Sequence, residues 1–100
     1  MSAVYAMQRA NGDVFVLDHK GQFRIPLFHT SRDAMTARSR NLDMLLFKPV
    51  MLNADLLLEL VPRGEGNDVE LWLVKDPSIS LKHGRVVEHE QLLSLLEHAT

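Results

Sequence analysis

The side chains with the most varied chemistry in this sequence are its five histidines. Three of them lie near the C-terminus together with two glutamates, and such a group could in principle bind a metal ion. No two histidines have the H-x-x-x-H spacing that places two imidazoles on one helical face. We therefore predict no metal site and no cofactor, and expect exposed or helix-end histidines. The residues considered are His83, His89, His98, Glu88 and Glu90.

No catalytic motif is present either. The serines lack the G-x-S-x-G pattern of a nucleophile elbow, and Ser31 is typical of a helix start. Gly64 and Gly66 lead toward a strand rather than a helix, so they indicate a turn and not a phosphate loop. Asp55 and Glu59 lie one helical turn apart, which is typical of a solvated face. We predict no catalytic residues.

A group of arginines is the best candidate for a binding site. Arg32 lies at the start of a predicted helix, where free N–H groups and the helix dipole favour anions. Arg38 and Arg40 follow on the same helix, although the three do not share one face. Arginine is well suited to bidentate contact with carboxylate or phosphate. The alternative is a solvated helix face whose arginines pair with nearby acidic residues.

Composition limits the class of protein. One hundred residues are enough for one domain, and residues 1–100 are predicted to form it. There are no cysteines, no apolar run long enough for a membrane span, and no signal-peptide pattern. The net charge of −2 argues against a general nucleic-acid binder. We expect a cytoplasmic protein that binds neither nucleic acid nor membranes.

The elements that would position the arginines begin with two strands, at residues 14–17 and 23–28. The first is apolar on both faces and is predicted to lie inside the sheet, whereas the second alternates with period two. Residues 18–21 form a polar loop in which Gly21 can adopt positive φ. Pro26 cannot donate to a ladder, so its strand is predicted near an edge, or with a bulge at its end.

Helix signals follow the second strand. Thr30 and Asp33 form a capping box for a helix that runs to about Arg40. Asn53 is a good N-cap for a second helix at residues 54–61, and residues 88–98 form a closing helix. Further strands are predicted at residues 44–50 and 69–74. Residues 64–68 are predicted as a loop, and residues 79–87 as a short strand or a loop.

The N-terminal segment at residues 3–10 leaves two alternatives. Asn11 and Gly12 could close a hairpin with the strand at Val14, or end a short helix. The residue types favour the helix. Together these elements predict an α+β domain with a mostly antiparallel sheet of about four strands and two or three helices on one face. The predicted buried residues are Phe15, Leu57, Leu60, Leu71, Trp72 and Leu73.

The segment GQFRIPLFHTSRDAM resembles a pattern in short bacterial proteins known only as a domain of unknown function. In that pattern a glycine turn and a strand ending in proline and an aromatic precede a helix, as at Gly21, Pro26 and Phe28. The Pro-Leu-Phe-x-Thr-Ser stretch is also similar to the N-terminal domain of the enhanced-serine-sensitivity family. These resemblances imply a fold rather than an activity, and neither family brings catalytic residues to carry over.

The sequence leaves three hypotheses of function. The first is a non-enzymatic binding or regulatory module that contacts a protein partner or a second copy of itself. The second is a small anion- or phosphate-binding domain that uses the helix start with Arg32, Arg38 and Arg40. The third is a small hydrolase. Because one helical layer covers only one sheet face, a homodimer and a monomer with helices on both faces are equally expected.

Overall fold

A computed structural model describes residues 3–60 and 69–98. These residues form an α+β fold, as predicted, with three α-helices and six strands in two sheets. The strands are β1 (Tyr5–Arg9), β2 (Leu17–His19), β3 (Gln22–Leu27), β4 (Phe47–Met51), β5 (Val69–Val74) and β6 (Gly84–Val87). The helices are α1 (Ser31–Arg40), α2 (Ala54–Leu60) and α3 (His89–His98), with a short 3-10 helix at Leu42–Met44.

The larger sheet has the order β2-β3-β5-β6, and only its central pair, β3 and β5, is parallel. The smaller sheet pairs β1 with β4 in antiparallel register. Tyr5 and Phe28 join the two sheets by exchanging backbone hydrogen bonds of 2.8 and 2.9 Å. The helices connect strands across long stretches of chain, which is what a parallel pair requires.

The N-terminal segment is a strand, so the prediction of a helix at residues 3–10 is wrong. Residues of β1 alternate between two apolar clusters: Ala6 packs on one side of the sheets and Met7 on the other. This two-sided burial and the pairing with β4 outweigh the helix propensity of the residues. The hairpin alternative holds, because Gly12 has φ +96° and Val14 forms a bridge with Gln8.

The prediction of an interior strand at residues 14–17 is also wrong. The strand is β2, a short edge strand that begins at Leu17 and includes Asp18 and His19. Polar residues suit an edge that faces water. The turn to β3 is tighter than predicted and consists of Lys20 and Gly21, with φ values of +53° and +85°.

Pro26 lies in β3, which is an interior strand rather than an edge strand. The register explains how the sheet tolerates it. The pairing of β3 with β2 ends at Arg24, and Phe28 pairs with Tyr5 of β1. Because alternate residues of a strand direct their N–H groups to the same side, Pro26 falls in the gap between these two partners. Its missing N–H therefore costs no ladder hydrogen bond.

Helices lie on both sides of the sheets, which corrects the prediction of a single helical layer. On one face, α2 and α3 contribute Leu57, Leu92 and Leu96 to a cluster with the odd-numbered residues of β3 and β5. On the other face, α1 lies against β1 and β4 of the smaller sheet and contributes Ala34 and Ala37 to a cluster that includes Trp72 of β5. We call these the α2–α3 face and the α1 face.

Local signals set the helix boundaries as predicted. The Thr30 hydroxyl accepts a hydrogen bond of 3.0 Å from the Asp33 N–H, and α1 ends at Arg40. The Asn53 side-chain oxygen accepts one of 2.8 Å from the Leu56 N–H at the start of α2. The strand predicted at residues 44–50 begins later, at Phe47, because the 3-10 helix first returns the chain toward the sheet.

Most of the predicted core is confirmed. Leu57, Leu71 and Leu73 are buried, and Trp72 is only 9% exposed. Phe15 is half-buried rather than buried, because it lies outside the strands and meets the Phe47 ring edge-on at 5.2 Å. The Leu60 side chain and the predicted loop at residues 64–68 lie outside the described residues. Among the described helices, none is long and apolar enough to cross a membrane.

Candidate functional site

The predicted arginines of α1 are not brought together. Arg32 is exposed in the first turn, and eight residues of helix, about 12 Å, separate it from Arg40. Arg38 has a structural contact: its Nε and Nη2 donate hydrogen bonds of 3.3 and 2.8 Å to the Leu45 carbonyl. Arg40 lines a cleft formed by described residues, and neither Arg32 nor Arg38 lines that cleft. The start of α1 and its end are therefore two separate places.

That cleft lies on the α1 face and has a volume of about 360 Å³. Three segments form its walls: the edge strand β2, the end of α1, and the loop at residues 76–82. Trp72 of β5 lines its inner side. The basic side chains that reach it are Arg24, Arg40 and Lys82, together with His19.

Arg24 is held at the cleft by two contacts. Its Nε lies 3.0 Å from a carboxylate oxygen of Glu70, which is its register neighbour on the parallel strand β5. Its guanidinium carbon lies 4.1 Å from the centroid of the Trp72 ring, a cation–π distance. Both side chains of the ion pair are partly buried, at 18% and 31% exposure. The guanidinium is thus fixed before any ligand arrives.

Trp72 is itself fixed from the loop and from β6. Its indole N–H donates a hydrogen bond of 2.9 Å to the Leu81 carbonyl, which satisfies the polar atom of a buried ring. Gly84 provides the space for the indole, since a Cβ there would collide with the Leu73 carbonyl and lie 2.8 Å from the Trp72 Nε1. The loop that closes the cleft is therefore attached to the core through one tryptophan.

The loop at residues 76–82 is held by its own polar contacts. The Asp76 carbonyl accepts hydrogen bonds of 3.1 Å from the N–H groups of Ile79 and Ser80. The Ser80 hydroxyl oxygen accepts one of 3.0 Å from the Lys82 N–H. These bonds give the loop a defined shape, with the Ile79 side chain 65% exposed at the rim of the cleft.

A serine, a histidine and an aspartate line this cleft, but no described hydrogen bond joins them. The oxygen of Ser80 accepts from the Lys82 backbone, and the Asp18 Oδ1 accepts at 2.9 Å from the Gly21 N–H. His19 is adjacent to Asp18 in the same strand, so their side chains leave opposite faces. The geometry is not that of a nucleophile–base relay.

Among the described residues, no three histidine or acidic side chains are grouped to hold a metal ion. Within the same part of the chain, the buried Nε2 of His89 has no hydrogen-bond partner. The side chain of His98 lies outside the described residues.

The carboxyl of Asp13, in the β1 hairpin, has a pKa below its ordinary value. A hydrogen bond from Arg9, and another from Asn11, lower the pKa of its carboxyl.

A second cleft of about 420 Å³ lies where the parallel strands β3 and β5 end. His29, Lys75 and Arg85 line it together with the backbone near Gly84. Lys75 N–H donates a hydrogen bond of 2.7 Å to the His83 carbonyl, which ties the end of β5 to the start of β6. This cleft lacks the paired arginine and the loop wall of the first cleft.

The α1 face also carries an exposed apolar surface beyond the helix end. Leu42, Leu45 and Leu46 are 81%, 51% and 78% exposed, and Met35 on α1 is 42% exposed. Arg38 connects them, because its guanidinium contacts both the Met35 sulfur, at 3.9 Å, and the Leu45 carbonyl. We call Met35, Leu42, Leu45 and Leu46 the apolar ridge.

Sequence reasoning missed both features. Arg24 and Glu70 are polar positions in alternating strands, but nothing local indicates that they are register partners across a parallel pair. Lys82 reaches the cleft only because its loop folds back over Trp72. The strand predicted at residues 44–50 includes Leu45 and Leu46 but begins only at Phe47, so the prediction hid the exposure of these two leucines. The one usable signal was Trp72, because a buried indole N–H needs a partner.

Comparisons with protein-family models, with curated proteins and with solved structures found no match to this chain. The resemblances to short bacterial proteins and to the enhanced-serine-sensitivity domain therefore stay predictions.

Proposed function

We propose that this protein is a small non-enzymatic binding module that acts by contact with another protein, through the apolar ridge. The observation that carries the proposal is the exposure of three leucines within five residues, Leu42, Leu45 and Leu46. Single exposed apolar side chains are ordinary, but adjacent ones are typical of interaction surfaces. The partner is a different protein or a second copy of this chain.

The way the ridge is built supports this proposal. Met44, between the leucines, is fully buried and anchors the segment to the α1 face. Arg38 holds the Leu45 carbonyl with two hydrogen bonds. A segment that is ordered before binding loses less conformational entropy when a partner arrives. The exposed leucines are thus presented on an ordered support rather than on a free chain end.

The proposal includes a cytoplasmic setting, where a chain without cysteines has no disulfide to lose. It also includes a role without bond-making chemistry. In the first cleft, a nucleophile and a base would have to be Ser80 and His19. The Ser80 hydroxyl oxygen accepts a hydrogen bond from the Lys82 N–H, and no described hydrogen bond joins Ser80 to His19.

Co-purification from the native cell tests the proposal, with tagged wild type compared with the double variant Leu42→Asp/Leu46→Asp. A charge at the centre of an apolar contact weakens the binding free energy by about 2 kcal/mol or more, so the double variant should lose the partner. Leu58→Asp is the matched control, because Leu58 is 40% exposed but lies on α2 at the opposite face. It should retain the partner.

Light scattering at micromolar concentration then separates the two kinds of partner. A mass of twice 11.4 kDa for the wild type, reduced to 11.4 kDa in the double variant, indicates a second copy. A single 11.4 kDa species together with a captured protein indicates a different partner. If the double variant retains every protein that the wild type captures and does not change in mass, the ridge is not the contact surface.

A further inference from the structure

We propose that the first cleft binds a small organic anion, a phosphate or carboxylate carried on a compact apolar body. This site is distinct from the apolar ridge and from the start of α1, and it does not depend on the proposed protein contact. Its cationic groups come from three separate parts of the chain: Arg24 on β3, Arg40 at the end of α1, and Lys82 in the loop at residues 76–82.

The charge of the cleft favours an anion. Arg24, Arg40 and Lys82 line it against one carboxylate, Asp18, which already accepts a hydrogen bond from the Gly21 N–H. Glu70 offsets the charge of Arg24, so the excess positive charge comes from Arg40 and Lys82. Neither Arg40 nor Lys82 has an ion-pair partner within the described residues. Like charges that converge on one concave surface repel one another, and walls of low dielectric strengthen the field inside. An anion placed between them relieves this repulsion and makes charge-assisted hydrogen bonds.

One of the cations is fixed in advance. Arg24 is oriented by Glu70 and by the Trp72 ring, and Trp72 is in turn held by the Leu81 carbonyl. A guanidinium with a fixed plane loses little rotamer entropy when it binds an oxyanion, and its fork geometry suits two oxygens of a phosphate or carboxylate. Arg40 is exposed, so it can approach the same anion from the opposite wall.

Besides the polar residues Asn41 and Ser80, the cleft has apolar lining residues, which favour a ligand with an apolar part. Leu17 and Leu81 flank the cleft, and Ile79 is 65% exposed at its rim although the loop around it is ordered. A volume of about 360 Å³ lies at the low end of the range of small-molecule sites, roughly 300 to 1,000 Å³. An inorganic ion would leave most of this space and the Ile79 side chain uncovered. The cleft fits an anion with a compact hydrocarbon or aromatic body.

Trp72 is the sole tryptophan of the chain and lines this cleft, so its fluorescence reports binding directly. The probes are phenyl phosphate, phenylacetate and the neutral benzyl alcohol, titrated at constant ionic strength. We expect at least one anion to saturate with a Kd below about 1 mM, and the alcohol to bind at least about tenfold more weakly. The preference between phenyl phosphate and phenylacetate distinguishes an organic phosphate from a carboxylate.

Variants assign the binding to this cleft. Arg40→Glu and Lys82→Glu should each raise the Kd of the preferred anion by about tenfold or more. Arg85→Glu is the matched control, because it makes the same charge change in the second cleft and should alter the Kd by about twofold or less. Circular dichroism checks the fold of each variant, and Arg40→Gln replaces Arg40→Glu if that variant is unfolded.

Three results would overturn the proposal. One is the absence of a saturable signal, by fluorescence and by calorimetry, for both anions up to about 10 mM. Another is equal binding of benzyl alcohol, which would indicate an apolar pocket without charge recognition. The third is equal weakening by Arg85→Glu, which would indicate a diffuse electrostatic effect or a site in the second cleft.

Discussion

The two faces of the central sheet are built from the same strands but in different ways. The α2–α3 face is closed by leucines from both helices, and the β3 and β5 side chains beneath them, such as Ile25 and Leu71, are buried. The α1 face combines a smaller apolar cluster with an ion pair, a tryptophan that donates a hydrogen bond, a cleft and the apolar ridge. The first face is a closed apolar core, whereas the second combines a core with exposed residues for which we propose a role in recognition.

The difference follows from which helix covers each face. On the α1 face the helix buries only small residues, Ala34 and Ala37, and lies close to β1 and β4 of the smaller sheet. The neighbouring surface of the larger sheet carries Arg24 and Trp72 and adjoins the loop at residues 76–82. Small residues on a packing helix thus leave room for a cleft that a row of leucines would fill.

Truncations on the α2–α3 face should have the largest effect. Leu57→Ala and Leu71→Ala remove fully or nearly fully buried side chains, 0% and 3% exposed, and should each lower the free energy of unfolding by about 2–5 kcal/mol. In contrast, the ridge variant Leu42→Asp/Leu46→Asp should change it by only about 0.5 kcal/mol per residue. Urea denaturation measures all three variants.

Unchanged unfolding curves for both alanine variants would contradict the assignment of this face as the core. A ridge variant that unfolds as readily as Leu57→Ala would show that the ridge contributes to stability rather than to recognition.

Gly84→Ala should have an intermediate effect, confined to the α1 face. The added Cβ meets the Leu73 carbonyl and the Trp72 indole, so the backbone or the ring must shift. We expect a loss of about 1–3 kcal/mol of unfolding free energy. The Trp72 emission should also move to longer wavelength as its hydrogen bond to Leu81 is disturbed.

Arg85→Ala is the control for this variant, because its exposed side chain follows Gly84 in β6. It should leave both the stability and the Trp72 spectrum unchanged. A Gly84→Ala protein with wild-type emission would show that the indole does not depend on the space at Gly84.

The parts of the fold that could be predicted from the sequence are those with local causes. Thr30 and Asn53 cap their helices through side chains within three residues, so a short window contains the whole signal. Residues 71–74 of the strand β5 form a continuous apolar run, which is typical of a strand that is buried on both faces. The strand β1 could not be recognised this way, because its helix-forming residues are held extended by β4, whose paired residues lie 38 to 46 positions away in the chain.

The candidate site was even less accessible to sequence reasoning. Of the predicted arginines, only Arg40 lines the first cleft, and its neighbours Arg24 and Lys82 come from positions 16 and 42 residues away in the sequence. Their proximity depends on the parallel pairing of β3 with β5 and on a loop held by Trp72. Neither has a local sequence signature, since register is set by the assembled sheet.

Photo-crosslinking in the native cell can show whether the α1 face contacts a partner while the α2–α3 face does not. A photoreactive phenylalanine derivative replaces Leu46 in one variant and Leu58 in the other, both exposed and on opposite faces. We expect a discrete crosslinked product from position 46, to a second copy or to another protein, and none from position 58. No product from position 46, or the same product from both positions, would contradict it.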